Sequence, residues 1–393
     1  MDDRRVKIAF DSWTLASRLR HQGAYVYASR LAAEFKRLSS TSPDLEFCLF
    51  ASRGGSNDAR YMLPGERFEI SPTSLLGRDR LWRLGGASLA AARAHADVMF
   101  SPTSNILPLG AVPVVCTIHD VTPLVMPSHS LRVNWLLRSL LWWSSRRSRA
   151  IITDSECSKR DLVGICGLPE SKISVVYLGY DDAIFNDSVP DPVAKQNLLK
   201  RLGVDGSYLL HHGVIQPRKN LRRLIEAYRL LVGRNRNLKL DLVLAGPLGW
   251  EYEDIVSAAH SGDGRPGRVL LTGALEESDL AMLIKGASLV VIPSMYEGFC
   301  LPMVEAMACG VPTIVSNRSC LPEVSGGVLE YFDPGSIAGI AASMEQILES
   351  EETRRSLSEK GKRRASGFSW GRCATETLEI LKRHAAPRNG ART

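Results

Sequence analysis

Short apolar runs of strand type alternate with helical patterns along the whole chain, and that alternation is the strongest constraint on its fold. In the first half the runs fall at Val6–Phe10, Glu46–Phe50, Val98–Phe100, Val112–Ile118, Ala150–Thr153 and Ile173–Val176. After the first of them, Ala24–Leu38 has the apolar spacing of a helix. The pattern restarts with strands at Tyr208–His212, Leu240–Ala245, Val269–Thr272, Leu289–Ile292 and Thr313–Ser316, and with helices at Asn220–Leu231 and Ser278–Lys285. Strands separated by helices return as parallel neighbours, so the expected class is α/β with doubly wound sheets. A chain of 393 residues suits two such domains better than one. The segment "YDDAIFNDSVPDPVAKQNLLKRLGVDGS" is rich in Asp, Pro and Gly and reads as a linker followed by a short helix. It sets the expected boundary at 190/191. Two doubly wound domains facing each other leave a cleft lined by strand carboxyl ends, where ligands bind.

Composition narrows the function classes. The net charge of +7 is compatible with an anionic substrate or surface, but the basic residues are spread out and no nucleic-acid motif accompanies them. None of the eight cysteines lies in a Cys-x-x-Cys pair, so buried free thiols are expected and a zinc site is not. The start "MDDRRVKIAF" lacks the apolar core of a signal peptide, and no apolar run approaches the ~20 residues of a membrane span. A cytoplasmic protein is expected.

The chemistry-bearing residues cluster after the second-half strands. In "MYEGFCLPMVEAMACGVPTIVS" two acids, Glu297 and Glu305, flank an apolar stretch. Gly298 suits a turn and Pro302 the opening turn of a helix. Glu297 is thus expected on a loop at a helix mouth, with Glu305 facing the same cleft from inside the helix. After "YLLHHG", which ends in Gly213, the loop "PRKN" carries Arg218 and Lys219, with Asn220 as the expected N-cap of the next helix. Two cations at a strand's carboxyl end suit a diphosphate, and a solvated turn is the competing reading. Gly246 in "LAGPLGW" either admits a ligand to the backbone or makes a tight turn. The main chain at Gly273, Ala274 and Leu275 is placed to meet a flat base. In the first half, His119 of "TIHD" is either a ligand contact or a strand-end residue.

The ordered set "HHGVIQPRKNLRRLIEAY", "LAGPLGW", "GALEESDL" and "PSMYEGFCLPMVEAMACGVPTIVSNRSCLPEV" resembles glycosyltransferase family 4, over about Tyr208–Val324. The first half resembles it more loosely, in "HQGAYVYASRLA", "TIHDVTPLVMPSHS", "ITDSECSKRDL" and "SVVYLGYDDAIF". The resemblance implies a GT-B fold, with an acceptor-binding domain at 1–190 and a nucleotide-sugar-binding domain at 191–367. The closing "FSWGRCATETLEIL" implies a helix at 368–385 that crosses back onto the first domain. It further implies that Glu297 faces the donor sugar, that Glu305 accepts from the nucleotide ribose, and that the amides of Gly298, Phe299, Cys300 and Leu301 point toward the donor. Helix N-termini favour anions there. His119 would lie beside the sugar, and Gly23 with Ala24 near the diphosphate. Two departures stand out. Val214 occupies the place of a common Arg, for which Arg218 is expected to substitute, and a usual double glycine is reduced to Gly23-Ala24. The implied activity is retaining transfer of a hexose, with mannose from GDP-mannose as the leading expectation, to a saccharide acceptor that is polyprenyl-diphosphate-linked. No Asp-x-Asp motif stands at a strand end, so no metal and no cofactor are expected. The rivals are an inverting transferase using His119 and Asp120 as base, a nucleotide-sugar epimerase or hydrolase, and a non-catalytic nucleotide-sugar binder.

One more stretch stands apart. "LRVNWLLRSLLWWSSRRSR", Leu131–Arg149, carries three Trp and the arginines Arg132, Arg138, Arg146, Arg147 and Arg149. Apolar positions 133, 136, 137, 140 and 141 fall along one helical face. It is either a core helix with a solvated basic end, or a helix resting peripherally on an anionic membrane surface.

Overall fold

The computed structural model describes residues 5–16, 23–50, 82–104, 106–126, 131–235, 239–261 and 267–387. Its chain divides into two units, Met1–Gly179 with Trp370–Thr393, and Tyr180–Ser369.

In the first unit the strands β1 (Val6–Asp11), β2 (Leu45–Phe50), β3 (Val98–Ser101), β4 (Val114–Thr117), β5 (Ala150–Thr153) and β6 (Ile173–Val175) form one parallel sheet in the order β2-β1-β3-β4-β5-β6. β3, β4 and β5 are buried along their whole length, as strands covered on both faces must be, and their sequences are correspondingly unbroken apolar or small runs. Helix α1 (Gly23–Thr41) buries Tyr27, Ala28, Leu31, Ala32 and Phe35, the i, i+3/i+4 face of its sequence. Helix α2 (Leu131–Arg147) turns Leu140 and Leu141 inward, followed by small residues. Ser144 and Ser148 there donate to the Cys116 thiol of β4 at 3.7 and 3.2 Å. The C-terminal helix Trp370–His384 belongs to this unit. It buries Trp370, Cys373, Ala374 and Leu381, and Lys382 Nζ reaches Asp44 at 2.8 Å.

The second unit repeats the plan. β7 (Ser207–His212), β8 (Leu240–Ala245), β9 (Val269–Gly273), β10 (Leu289–Ile292), β11 (Thr313–Ser316) and β12 (Glu330–Phe332) form a parallel sheet ordered β12-β11-β10-β7-β8-β9. Helix α3 (Leu221–Arg234) buries Leu224, Ile225, Tyr228, Leu231 and Val232 against it. Each large apolar side chain so buried stabilises by roughly 1.5–3 kcal/mol. Helix α4 (Leu301–Ala308) has Pro302 in its first turn, and all its residues after Pro302 are buried except Glu305.

The division at Gly179/Tyr180 precedes the expected boundary at 190/191. The reason lies in Phe185, which is buried, and in Asn186 and Asp187, which accept from Lys285 and Lys362 of the second unit at 3.0 and 2.9 Å. The short helix expected after the linker is Pro192–Leu202, capped by Asp191 and ended by Gly203 in the left-handed region.

Candidate active site

Strand order decides where ligands gather. In the second sheet the direction of progression reverses between β7 and β10, and at such a switch point the connections leave on opposite sides and open a crevice at the carboxyl ends. The loops that follow these two strands carry Arg218 and Lys219, and Glu297.

The loops are stitched to one another before any side chain is considered. Met295 N donates to Arg218 O at 2.9 Å, and Gly213 N to Ala245 O at 2.8 Å. Gly246 N then donates to Gly273 O at 2.9 Å, so three strand ends are tied in a row. The backbone gives its own reason for glycine at Gly246. Its φ is +150°, and a Cβ there would fall 2.0 Å from Gly213 O, so the crossing of two strand ends requires glycine. Gly213, with φ +127°, lies beside the Lys219 side chain, whose Nζ would be 3.8 Å from an added Cβ. Gly273 and Ala274 are exposed, and Leu275 is half-buried.

Around this frame sits a buried charge cluster. Glu297 is 4 % exposed. Its Oε1 accepts from Lys219 Nζ at 2.6 Å and from Ser294 Oγ at 2.7 Å, and its Oε2 accepts from Arg218 Nη1 at 2.5 Å. Burial alone would push this carboxyl up. The adjacent guanidinium and ammonium, with the Lys219 and Ser294 hydrogen bonds, outweigh it and hold the pKa at about 2. In this structure Glu297 is the counter-ion of both cations. Arg218 also donates to Tyr296 O at 2.9 Å, which fixes its fork. The competing reading of "PRKN" as a solvated turn fails, since Lys219 is buried. Asn220 is a correction of another kind. It adopts φ +58° and makes no capping bond to α3. Its side chain instead donates to Pro334 O at 2.8 Å and accepts from Arg223 at 3.0 Å.

Cys300 stands at the mouth of α4 with φ +74°. Burial and the neighbouring Glu297 push its thiol up to about 12, which keeps it protonated and inert. Gly298 and Phe299 lead into it, Phe299 packing edge-on against Phe368, and Leu301 opens the helix. Glu305 lies one turn in, partly exposed, with its Oε2 3.1 Å from His212 Nε2. His212 was not among the residues singled out from sequence, and neither was Ser294.

The first unit holds the remaining expected residues. His119 follows β4, with Nδ1 2.7 Å from Asp154 Oδ2 and Nε2 3.1 Å from Pro102 O. A carbonyl only accepts, so Nε2 carries a hydrogen. Burial lowers the imidazole's pKa, but the Asp154 carboxylate outweighs it and the net direction is upward. Both ring nitrogens are thus engaged by groups of the first unit. Asp120 Oδ1 accepts from Thr122 N at 2.8 Å, a local turn bond. Tyr27 stacks edge-on against His119 at 4.9 Å and bonds Thr117 at 2.9 Å. Gly23 is the exposed first residue of α1 and Ala24 is half-buried; nothing lies within 4 Å of where a Gly23 Cβ would be. The residues 17–22 that lead into it lie outside the described residues. Among the described residues no group of three or more His, Cys, Asp or Glu stands together in an arrangement that could hold a metal ion.

On α2 the three tryptophans face outward, Trp135 at 72 % exposure. Arg146 lies over the Trp142 ring at 4.9 Å and Arg147 over Trp143 at 5.3 Å, both pairs at i, i+4. Of the expected apolar stripe, Leu140 and Leu141 are buried while Leu136 is exposed; the side chain of Val133 lies outside the described residues.

Comparison with known proteins gives the same picture from another side. The family model described as glycosyl transferases group 1 matches residues 198–364, and that described as Glycosyltransferase Family 4 matches residues 21–184. The chain is 32% identical over 300 residues to O-antigen chain mannosyltransferase B of Escherichia coli, covering 74% of this chain and 76% of that protein. It is 30% identical over 287 residues to the serotype-specific mannosyltransferase WbdA of Escherichia coli, covering 70% of this chain but only 34% of WbdA. Among solved structures, Anabaena Alr3699/HepE in complex with UDP and glucose aligns with a TM-score of 0.73 at 19% identity, covering 96% of this chain and 100% of that one. WaaG, a glycosyltransferase involved in lipopolysaccharide biosynthesis, aligns with a TM-score of 0.68 at 14% identity, covering 95% and 99%. At these identities the structural likeness is one of fold.

Proposed function

The chain belongs to glycosyltransferase family 4, and from that premise we propose that it is a retaining mannosyltransferase, moving mannose from GDP-mannose to a growing cell-surface saccharide. That it is a glycosyltransferase follows from its family. Mannose is supported by the names of its Escherichia coli relatives. The observation that carries the reading is the Arg218–Glu297–Lys219 cluster at the switch point of the second sheet.

In this reading the donor's diphosphate meets Arg218 and Lys219, Glu305 accepts from ribose hydroxyls, and the base lies along the main chain at Gly273–Leu275. The bond from the anomeric carbon to the diphosphate oxygen breaks while the acceptor oxygen bonds on the same face. The acceptor's proton passes to the departing diphosphate. A double displacement would need a free carboxylate under the sugar, and both oxygens of Glu297 are engaged. Catalysis is then positioning plus stabilisation of leaving-group charge by two cations that Glu297 holds still. The same cations supply what a metal supplies elsewhere, so excess chelator should leave the rate unchanged. The inverting alternative needs His119 as base, and the engaged ring nitrogens speak against it.

The test is transfer from GDP-mannose to a mannose-ended saccharide, with the anomeric configuration of the product read by NMR. A retained α-linkage supports the proposal. An inverted product, or donor turnover without acceptor, overturns it. A thermal-shift screen across nucleotide sugars decides the donor, since stabilisation scales with occupancy; stronger stabilisation by a UDP- or dTDP-sugar would replace GDP-mannose.

We also propose that the acceptor is polyprenyl-diphosphate-linked and that α2 rests on anionic headgroups. Leu131–Arg149 contains five arginines and no Asp or Glu, and its outward face is Trp135, Leu136, Trp142 and Trp143. Such a face combines apolar insertion with charge attraction. Among the described residues no helix is long and apolar enough to cross a membrane.

A further inference from the structure

β7 ends in two adjacent histidines, and each leaves one buried ring nitrogen, His211 Nε2 and His212 Nδ1, without a partner. A buried polar atom with no partner costs stability. The strand avoids that cost at Leu209 and Leu210 just before, so the histidines call for a reason. Neighbouring residues of a strand point to opposite faces, and the two rings do different things. His211 Nδ1 donates to Val291 O at 3.0 Å, a bond that ties β7 to β10.

His212 is 1 % exposed and its Nε2 lies 3.1 Å from Glu305 Oε2. A carboxylate only accepts, so Nε2 carries the hydrogen and donates it. Glu305 is the one charged side chain of "LPMVEAMA", the helix α4, and keeps an exposed edge. A glutamate so placed has three side-chain torsions to fix before it can accept two hydroxyls at once, and fixing them on binding weakens affinity.

We propose that His212 is a positioning residue for donor binding: its Nε2–H locks one oxygen of Glu305, so that the carboxylate's remaining lone pairs are pre-aimed at a vicinal pair of sugar hydroxyls on the nucleotide. The orphaned Nδ1 is the cost of presenting that single hydrogen from the floor of the site. This rests on the reading of Glu305 as the residue that accepts from the nucleotide.

The test measures KM for GDP-mannose and kcat, and titrates GDP and UDP calorimetrically, following whichever binds more tightly. His212→Val fits a strand interior and removes the orphan nitrogen, so its Tm should not fall. Its donor KM and nucleotide Kd should rise about five- to tenfold with kcat within about twofold. His212→Gln, which restores an N–H at similar reach, should recover most of the loss. In a Glu305→Ala background, His212→Val should add nothing further. Unchanged KM and Kd in His212→Val, while Glu305→Ala raises both, would overturn the role of His212 alone. Unchanged values in Glu305→Ala would overturn the reading of Glu305 and this proposal with it. A His212→Gln variant as weak as His212→Val would also refute the hydrogen-bond argument, leaving only packing.

Discussion

Replacing Glu297 by glutamine keeps the shape of the side chain and removes the charge that Arg218 and Lys219 share. The carboxyl is held at about 2 against an ordinary 4.5. By proton linkage that difference corresponds to about 3 kcal/mol of stability. The sign is set by the depressed value. The contribution is complete above the unfolded pKa near 4.5 and is lost as pH falls through that value toward 2. A second route gives the same order: removing the anion strands two cations, one of them buried, and breaking one side of a buried ion pair costs about 3–5 kcal/mol. Glu297→Gln should therefore be about 3 kcal/mol less stable than the parent at pH 7, in the urea transition that unfolds the second unit. The gap should narrow steadily between pH 4.5 and 2. Saturating nucleoside diphosphate should close part of it at pH 7, because the ligand brings replacement anions. A gap below about 0.5 kcal/mol at pH 7, or one that does not change with pH, would refute the counter-ion argument.

Three further outcomes are expected. Lys219→Ala should lower kcat by about 10²–10³-fold, as loss of a donor to a developing anion does, with Arg218→Ala nearly as harmful; full activity in Arg218→Ala would show that it does not replace the cation absent at Val214. Gly246→Ala should destabilise the second unit by more than about 3 kcal/mol, since a Cβ would collide with Gly213 O, and a normal urea midpoint would contradict the strand-end geometry. Changing Arg146, Arg147 and Arg149 to Ser should weaken binding to anionic liposomes on the order of 100-fold at low salt, at about 1 kcal/mol per arginine; no binding by the parent protein would return α2 to a purely structural role.

What could be read from sequence and what could not differ in a physical way. Strands β7, β8, β10 and β11 are visible because a strand buried on both faces is built around an apolar run, and Pro302 marks the start of α4 because few other positions tolerate it. β12 escaped notice because three residues, Glu330–Phe332, carry no period. Its existence depends on pairing with β11 at the sheet's edge. The glycines Gly213, Gly246 and Gly273 are conspicuous, yet only their spatial row shows that the middle one serves a backbone crossing.

The site's pairings were hidden for a reason built into parallel sheets. Each crossover places a whole helix between successive strand ends, so loops that meet at one edge are far apart in sequence. Glu297 meets Lys219 across 78 residues, Glu305 meets His212 across 93, and His119 meets Asp154 across 35. No local pattern records such pairs. A motif therefore shows which charges a loop brings, while strand order determines which of them neutralise each other. That difference adds to what can be said of Glu297. Alone on its loop it reads as an acid at a helix mouth; set against the loop of β7, it is also the counter-ion that holds Arg218 and Lys219 in place. In the proposed function an incoming diphosphate would meet cations already gathered by the fold, with part of their reorganisation cost met beforehand.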